Sequence, residues 1–591
     1  MQSLRKLRKD FPELDIQIEL QLKLMQKSIS KMRFVLLALL LTAGFCSYGL
    51  ANELVFATKP AIITNPNPRA PLVALVNFSV AQPVSTLIEL DDGERSWSIK
   101  FDQTHDPEQG LAILGMKPDR KHELRITISN GVGEASLPVM LEYQTPPLPN
   151  GFGNFAPIKV KTAKPELMEP GYTFLSVRRR VPGRSLWITK AQRKFMTSWG
   201  LIVALDNSGE VVWYYEADTR ISGIDRLQNG HLLFHLTDFR TVELDMLGNK
   251  VREWYAADRP SGPAKDAIPI VGAQTLHHQP LEMPSGNFMS FSANARQVKD
   301  YYTSETDVDA PRKDQKVMGD SVIEFDREGN IVWRWNAWDH LDPYRVGYDF
   351  LDPYWHVRGF PEHADWTHGN GLAYDERDDS IIVNFKHQDA LFKIDRASGD
   401  IKWILGQNTD WPDDLKSKVL QPKGDEFRWI FHAHNPRITK AGTIIIYDNG
   451  TFQARPFEQV LKPHETFSRA VEYEVDEDNM TVRQVWASHS EVGPDTCVTP
   501  AMGDAHSMPV TDNVFVVDSI CGHPADDLSW DPWDFSKRHI FDVIHWARIR
   551  EYRRSGDASE IVFDVEIHDP NEVLQWEVFG GFRTPDLYPA R

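Results

Sequence analysis

The chain has no G-x-x-x-x-G-K-[ST] motif and no G-x-G-x-x-G following a strand pattern. It therefore shows no sign of using a nucleotide donor. A G-x-S-x-G nucleophile elbow is missing as well. Positive charge is short: the net charge is −19. Nucleic acid, which draws most of its affinity from a basic face, is disfavoured as a partner. A small anionic substrate is not, because it needs only a local positive pocket. Cysteine is scarce, at three in 591 residues.

One long apolar run is present. Residues 33–51, RFVLLALLLTAGFCSYGLA, give a basic start, an apolar stretch and a small-residue end. This is a secretory signal pattern with a cut after Ala51, and the run is short for a membrane span. Residues 1–31 are charged, and Met32 is an alternative start. The protein is therefore expected to be exported, to the periplasm. Cleavage leaves Cys497 and Cys521, which flank one expected inner hairpin. In an exported chain they are candidates for a disulfide, the alternative being two buried thiols.

Length alone suggests about four domains, a number that repeats would lower. Residues 52–145 alternate like strands: Leu72, Ala74, Val76, Phe78 and Val80 share one face. Turn signals such as Asp91-Asp92-Gly93 separate the runs, as in a small N-terminal β-sandwich. Residues 146–164 begin Pro-Pro-Leu-Pro and read as a linker.

From residue 165 a hairpin recurs: apolar strand, Asp, turn with Gly, and a strand ending in Trp. Its copies end at Trp213, Trp254, Trp333, Trp403, Trp486 and, most loosely, Trp576. Asp and Gly suit the tight turn, and the indole suits packing between sheets. Further strand runs, such as SIIVNF and TIIIYD, lie between the copies. Six repeats of about four strands predict an all-β chain in which the sandwich precedes a six-bladed β-propeller over 165–591. The uneven Trp spacing puts surplus residues into long loops at 293–320 and 335–366, where binding sites are commonly shaped.

Histidine-led strands follow the Trp hairpins. His278 and His434 each stand eight residues before a turn glycine, Gly286 and Gly442. His368 opens HGNGLAYDERDDSIIV, and His506 opens HSMPVTDNVFVV. If the Trp hairpins are outermost, these segments start the innermost strands, and four histidines ring one channel mouth. Taken singly, each is better read as a packed channel residue. Four at matched positions suggest a metal site or nucleophilic and acid–base catalysis. No carboxylate recurs beside the histidines to complete a metal shell. Lys386, on the next strand after His368, would add a cation for an anionic group. Asp448-Asn449-Gly450 reads as a turn one strand from His434, with Asp448 able to orient that ring.

At these residues the chain resembles the bacterial arylsulfate sulfotransferase family. The likeness is closest at residues 368–382 (HGNGLAYDERDDSII), at KHQ 386–388, KWIL 402–405, DNG 448–450 and SRAVEY 468–473. The resemblance implies an exported, cofactor-free and nucleotide-independent enzyme that moves a sulfuryl group from a phenolic sulfate to a phenol through a sulfohistidine. It further implies that His434 is the nucleophile, that His278 and His368 bind sulfate oxygens or protonate the leaving phenolate, and that Asn370 contacts substrate. His506 joins them as a substrate-binding candidate from its strand position. Lys386 stands where the family has arginine, keeping the charge without the two-pronged geometry. Some members carry a disulfide loop just before the nucleophile. Residues 421–431 here lack cysteine, so any bridge is Cys497–Cys521. The sequence also allows a homodimer. Two other readings are a non-catalytic exported propeller that binds a small anion or a partner protein, and a metal-dependent propeller enzyme.

Overall fold

The computed structural model describes residues 54–589 except 132, 185, 186, 524, 532, 533, 556 and 557. The expected signal at 1–51 lies outside the described residues. The described chain is all-β, with short helices such as Lys190–Thr197.

Two small sheets come first. One holds Thr58–Thr64, Ala74–Ser79 and Leu111–Ile113; the other runs Ser96–Phe101, Ser85–Asp91, Lys121–Ser129, Val139–Gln144. The alternation along these strands turns Val76, Phe78, Ile88, Ile99 and Ile126 into one shared apolar core.

Six larger sheets follow. Their innermost strands are Gln575–Thr584, Ile221–Arg226, His277–Glu282, Gly369–Asp375, His434–Ile438 and Asp504–Ser507. Each of these strands touches the next, and the sixth touches the first. Central strands such as Gly200–Leu205 and Ser380–Phe385 are buried along their whole length, because both faces pack on neighbouring sheets.

The repeated hairpin now has a physical explanation. At Asp206, Asp245 and Asp326 the carboxylate accepts the backbone N–H groups two and four residues on. The glycine between them adopts positive φ, +82° at Gly209, which glycine takes without a steric penalty. Each tryptophan then ties its sheet to the next. Trp213 donates to Met246 O (2.9 Å), Trp254 to Arg327 O (3.1 Å) and Trp333 to Arg396 O (3.0 Å). Trp403 donates to Glu477 Oε1 (3.1 Å) and Trp486 to Ser559 Oγ (3.3 Å).

Three expectations need correction. Trp576 is not a sixth copy: it sits on the innermost strand of the first sheet, which the C-terminus completes beside Tyr172–Arg180. The stretch 146–164 is not all linker, since Ile158–Ala163 pairs with the outer strand of the sixth sheet. Residues 293–320 are mainly a long hairpin, Phe288–Tyr301 with Lys313–Phe325. Cys497 and Cys521 are bonded, with Cα atoms 5.3 Å apart. The bond ties the segment before the sixth inner strand to the end of Val514–Cys521.

Candidate functional site

A cavity of about 600 Å³ is lined by His278, His368, His434 and Lys386. His278 and His434 lie on the third and fifth inner strands and His368 immediately precedes the fourth, which is why distant sequence positions meet. The loop 337–365, between the third and fourth sheets, adds Asp349, Tyr354, Arg358 and Asp365. The H-G-N-G motif has a steric basis. A Cβ on Gly371 would lie 2.4 Å from Pro436 Cδ and 2.7 Å from Asn435 N, so only glycine lets the fourth inner strand approach the His434 segment.

His434 is 2% exposed. Its Nδ1 lies 2.7 Å from Asn449 Oδ1 and 3.0 Å from His432 O. Asn449 Nδ2 donates to Thr499 O and Met502 O, both at 2.8 Å, which fixes the amide with its oxygen toward the imidazole. Two acceptors at Nδ1 place the ring proton there. Nε2 keeps its lone pair and accepts the Met502 N–H at 3.1 Å. Burial, then the nearby Lys386 charge, pull the His434 pKa down to about 3, so the ring is neutral at ordinary pH. Asn449 orients this ring and Asp448 does not. The Asp448 carboxylate accepts from Phe431 N (2.9 Å) and from Arg469 Nε (2.9 Å).

His278 and His368 stand with ring centroids 5.0 Å apart. Both have positive φ, +65° and +49°, a conformation costing about 1–3 kcal/mol in a non-glycine residue and typical of functional sites. Each is backed by a carboxylate. His368 Nδ1 is 2.5 Å from Asp365 Oδ2, whose Oδ1 accepts from Trp355 Nε1 at 2.8 Å. His278 Nδ1 is 2.6 Å from His277 Nδ1, and His277 Nε2 is 3.2 Å from Asp320. Asp320 Oδ2, on Lys313–Phe325, also accepts Thr367 Oγ1–H and Gly369 N–H, both at 2.6 Å, tying the third sheet to the start of the fourth inner strand. Among the described residues, neither His278 nor His368 has a protein partner at Nε2, and both line the cavity. Burial holds both rings neutral, well below the usual imidazole pKa. Burial and then Asp320 push the Asp365 carboxyl well above its ordinary range, so the Asp365–His368 pair stores a proton.

Lys386 is buried at the cavity wall, with Nζ 3.2 Å from Asp349 Oδ2. It is thus a cation already matched by a carboxylate. Two expected ligand contacts are corrected. Asn370 is fully buried behind the wall; its Nδ2 donates to Ala433 O (3.0 Å) and its Oδ1 accepts from Asn384. It steadies the backbone next to His434 and is not among the cavity residues. His506 is not among the cavity residues. Ser507 pairs with Val514 at the turn end as Ile438 pairs with Ile444, so His506 is the counterpart of Arg437 and not of His434. It lies 3.0 Å from Asp504 instead.

Carboxylates do accompany the histidines, contrary to the sequence reading. Asp365, His368 and His387, and separately Asp349, His387 and His432, bring potential ligand atoms within 4.8 Å of one another. In the second group Lys386 already balances Asp349 and would repel a divalent ion. In the first, Asp365 is taken up by Trp355 and His368.

Residues 159–576 match the sequence pattern of the family described as Arylsulfotransferase (ASST). The chain belongs to this family. It is 28% identical over 333 residues to Arylsulfate sulfotransferase AssT of Escherichia coli O6:H1, covering 49% of this chain and 53% of that protein. It is 27% identical, over the same coverage, to Arylsulfate sulfotransferase AssT of Lelliottia amnigena. The chain thus spans about half the length of the curated relatives it matches. Among solved structures, a luciferin-regenerating enzyme aligns over 73% of this chain and 99% of its own at 11% identity, with a TM-score of 0.31.

Proposed function

We propose that the protein is an aryl-sulfate sulfotransferase working by a ping-pong mechanism through a sulfuryl group on His434. The observation that carries the reading is the state of that imidazole: neutral, Nδ1–H held by two acceptors, and the Nε2 lone pair met only by the Met502 N–H, in a ring that lines the cavity. The residues at 165–591 are read as a six-bladed β-propeller, supported by the ring of contacts among six inner strands. The residues at 52–145 are read as a sandwich. Export to the periplasm, with signal cleavage, is supported by the Cys497–Cys521 bond, which persists in oxidising compartments.

In the first half-reaction His434 Nε2 attacks sulfur of the aryl sulfate. The N–S bond forms as the S–O bond to the aryl group breaks. The departing phenolate takes the proton on His368 Nε2, and the Asp365 carboxyl refills His368 at Nδ1. A phenol is released, leaving an anionic Asp365–His368 pair beside the sulfoimidazolium. In the second half-reaction an acceptor phenol gives its proton back to the pair. Its oxygen attacks sulfur, the N–S bond breaks, and the aryl sulfate product leaves with His434 neutral again. The Met502 N–H, released from Nε2 as the N–S bond forms, and Lys386, which keeps Asp349 as its counter-ion, offset charge on the sulfuryl oxygens together with His278 Nε2. Phenol and phenolic sulfate enter as substrates, and no cofactor takes part.

Incubation with 4-nitrophenyl sulfate and phenol tests this. Nitrophenol release should require acceptor for turnover, survive chelation and vanish in His434→Ala. Full activity in His434→Ala overturns the nucleophile. Loss of activity on chelation favours a metal at Asp365, His368 and His387. No turnover, with sulfate esters still bound, favours a binding protein.

A further inference from the structure

We propose that the cavity holds a second anion subsite, made by Arg178 and Arg358, which selects phenols and aryl sulfates that also carry a carboxylate. The inference rests on the transfer reading above and names its substrate class.

The chain is strongly acidic, yet seven Lys or Arg line the cavity against five Asp or Glu. Most of these cations are matched. Lys386 faces Asp349, and Arg180 and Arg220 share Glu577. Arg184 pairs with Asp542 at 2.9 Å. Among the described residues, Arg178 and Arg358 have no carboxylate within ion-pair distance. Arg178 is 5% exposed, and its contacts are neutral: Ile221 O, Ser222 Oγ at 2.8 Å and Met502 Sδ at 3.4 Å. Glu577, already shared by Arg180 and Arg220, reaches Arg178 only from beyond ion-pair distance. A guanidinium removed from water without a paired carboxylate is costly, and an anionic ligand offsets that cost. Arg358 donates to Tyr354 O at 2.8 Å, stacks on that ring, and has the cavity carboxylate Asp352 near it only beyond ion-pair distance.

The two guanidiniums share an aromatic setting. Arg178 lies 4.3 Å over the Phe579 ring and Arg358 3.6 Å over the Tyr354 ring. Both rings flank His278, with centroids 5.8 and 6.2 Å away. Apolar walls for an aryl ring, an imidazole for the reacting oxygen and two unmatched guanidiniums therefore occupy one patch. A transferring sulfuryl group carries a single negative charge, and Lys386, although paired with Asp349, acts on His368 and His434 and so serves that group. Arg178 and Arg358 act instead on His278, at the aromatic end of the patch. Arginine's planar fork fits a carboxylate with two parallel hydrogen bonds.

The test compares 3-(4-hydroxyphenyl)propionate with its methyl ester as acceptors, using 4-nitrophenyl sulfate as donor. The wild type should favour the acid in kcat/KM by at least about tenfold, the scale of a charge-assisted hydrogen bond. In Arg358→Gln the ratio should fall to within about twofold of one, and Arg358→Lys should restore part of it, since charge returns without the fork. Arg358 is only partly buried, so its variants avoid the folding risk of replacing Arg178. A wild-type ratio at or below one, or a ratio retained in Arg358→Gln, overturns the subsite while transfer to the ester leaves the function intact. If neither acceptor is sulfated, the transfer reading fails. The subsite is then judged by calorimetric titration with the sulfated acid and the sulfated ester: equal affinities overturn it, and an acid preference lost in Arg358→Gln supports it.

Discussion

Replacing Asp365 by asparagine keeps the shape of the carboxyl group and removes its proton. Trp355 Nε1 donates to Oδ1 at 2.8 Å, which would hold the amide oxygen on the indole and turn the NH2 toward His368 Nδ1. The ring would keep Nε2–H facing the cavity. After that proton leaves with the phenolate, however, the substituted amide has none to refill the ring. The loss therefore falls on proton delivery, which positioned general acids supply at about 10²–10⁴-fold. It should depend on the leaving group. Phenyl sulfate, whose phenol has a pKa near 10 as tyrosine does, should slow by about 10². 4-Nitrophenyl sulfate releases a more acidic phenol and should slow by less than about tenfold. In a ping-pong reaction kcat/KM for the donor reports the first half-reaction alone. A series of ring-substituted phenyl sulfates, plotted against leaving-group pKa, should give a steeper negative slope for Asp365→Asn than for wild type. An equal drop across the series refutes the stored proton and reduces Asp365 to a prop for His368.

Other outcomes follow from the same contacts. Asn449→Ala should lower kcat by about 10- to 100-fold, because one acceptor for His434 Nδ1 is lost and two buried carbonyls lose their donor. Asn449→Asp should raise the His434 pKa through a charged acceptor, moving the acid limb of the pH–rate profile upward. His235, His434 and His545 are each held at about 3 by burial, against an unfolded value of 6.5. Between those limits the unfolded chain binds more protons, so stability should be lost as pH falls below 6.5. At pH 5 the loss is about 2 kcal/mol per histidine, read as a drop in the urea midpoint; an unchanged midpoint contradicts the buried neutral rings. Reducing the Cys497–Cys521 bond, which closes a sequence separation of 24, should cost about 3 kcal/mol and lower Tm; an unchanged Tm contradicts a stabilising bridge.

The fold was legible where chemistry repeats locally. The Asp–Gly turns recur in the outer hairpins from Trp213 to Trp403 and the stapling tryptophans through Trp486, so periodicity found them. Trp576 misled because closing the ring with the C-terminal strand is a property of the whole chain, with no local signature. His278, His368 and His434 were legible from strand position. His506 looked similar, but the sixth turn is one residue longer, with Met508 N bonded to Asn513 O where Thr439 N meets Thr443 O. No glycine marks that turn, and the histidine falls three positions along. Asp320, Asp365, Arg178 and Arg358 reach the site from other sheets or a long loop, and nothing in their neighbourhoods in sequence announces them. Asn449 was within reach: in a strand ending Asp448-Asn449, only one of the two can face His434, and alternation alone does not say which.

The central claim is a sulfuryl group carried by His434. Protein mixed with 4-nitrophenyl sulfate and no acceptor, quenched and digested under conditions that preserve N-sulfonated histidine, should show one sulfuryl adduct on the peptide containing His434. The adduct should disappear on adding phenol and be missing in His434→Ala. An adduct on another residue, or stoichiometric nitrophenol release with no adduct on the protein, would contradict the account.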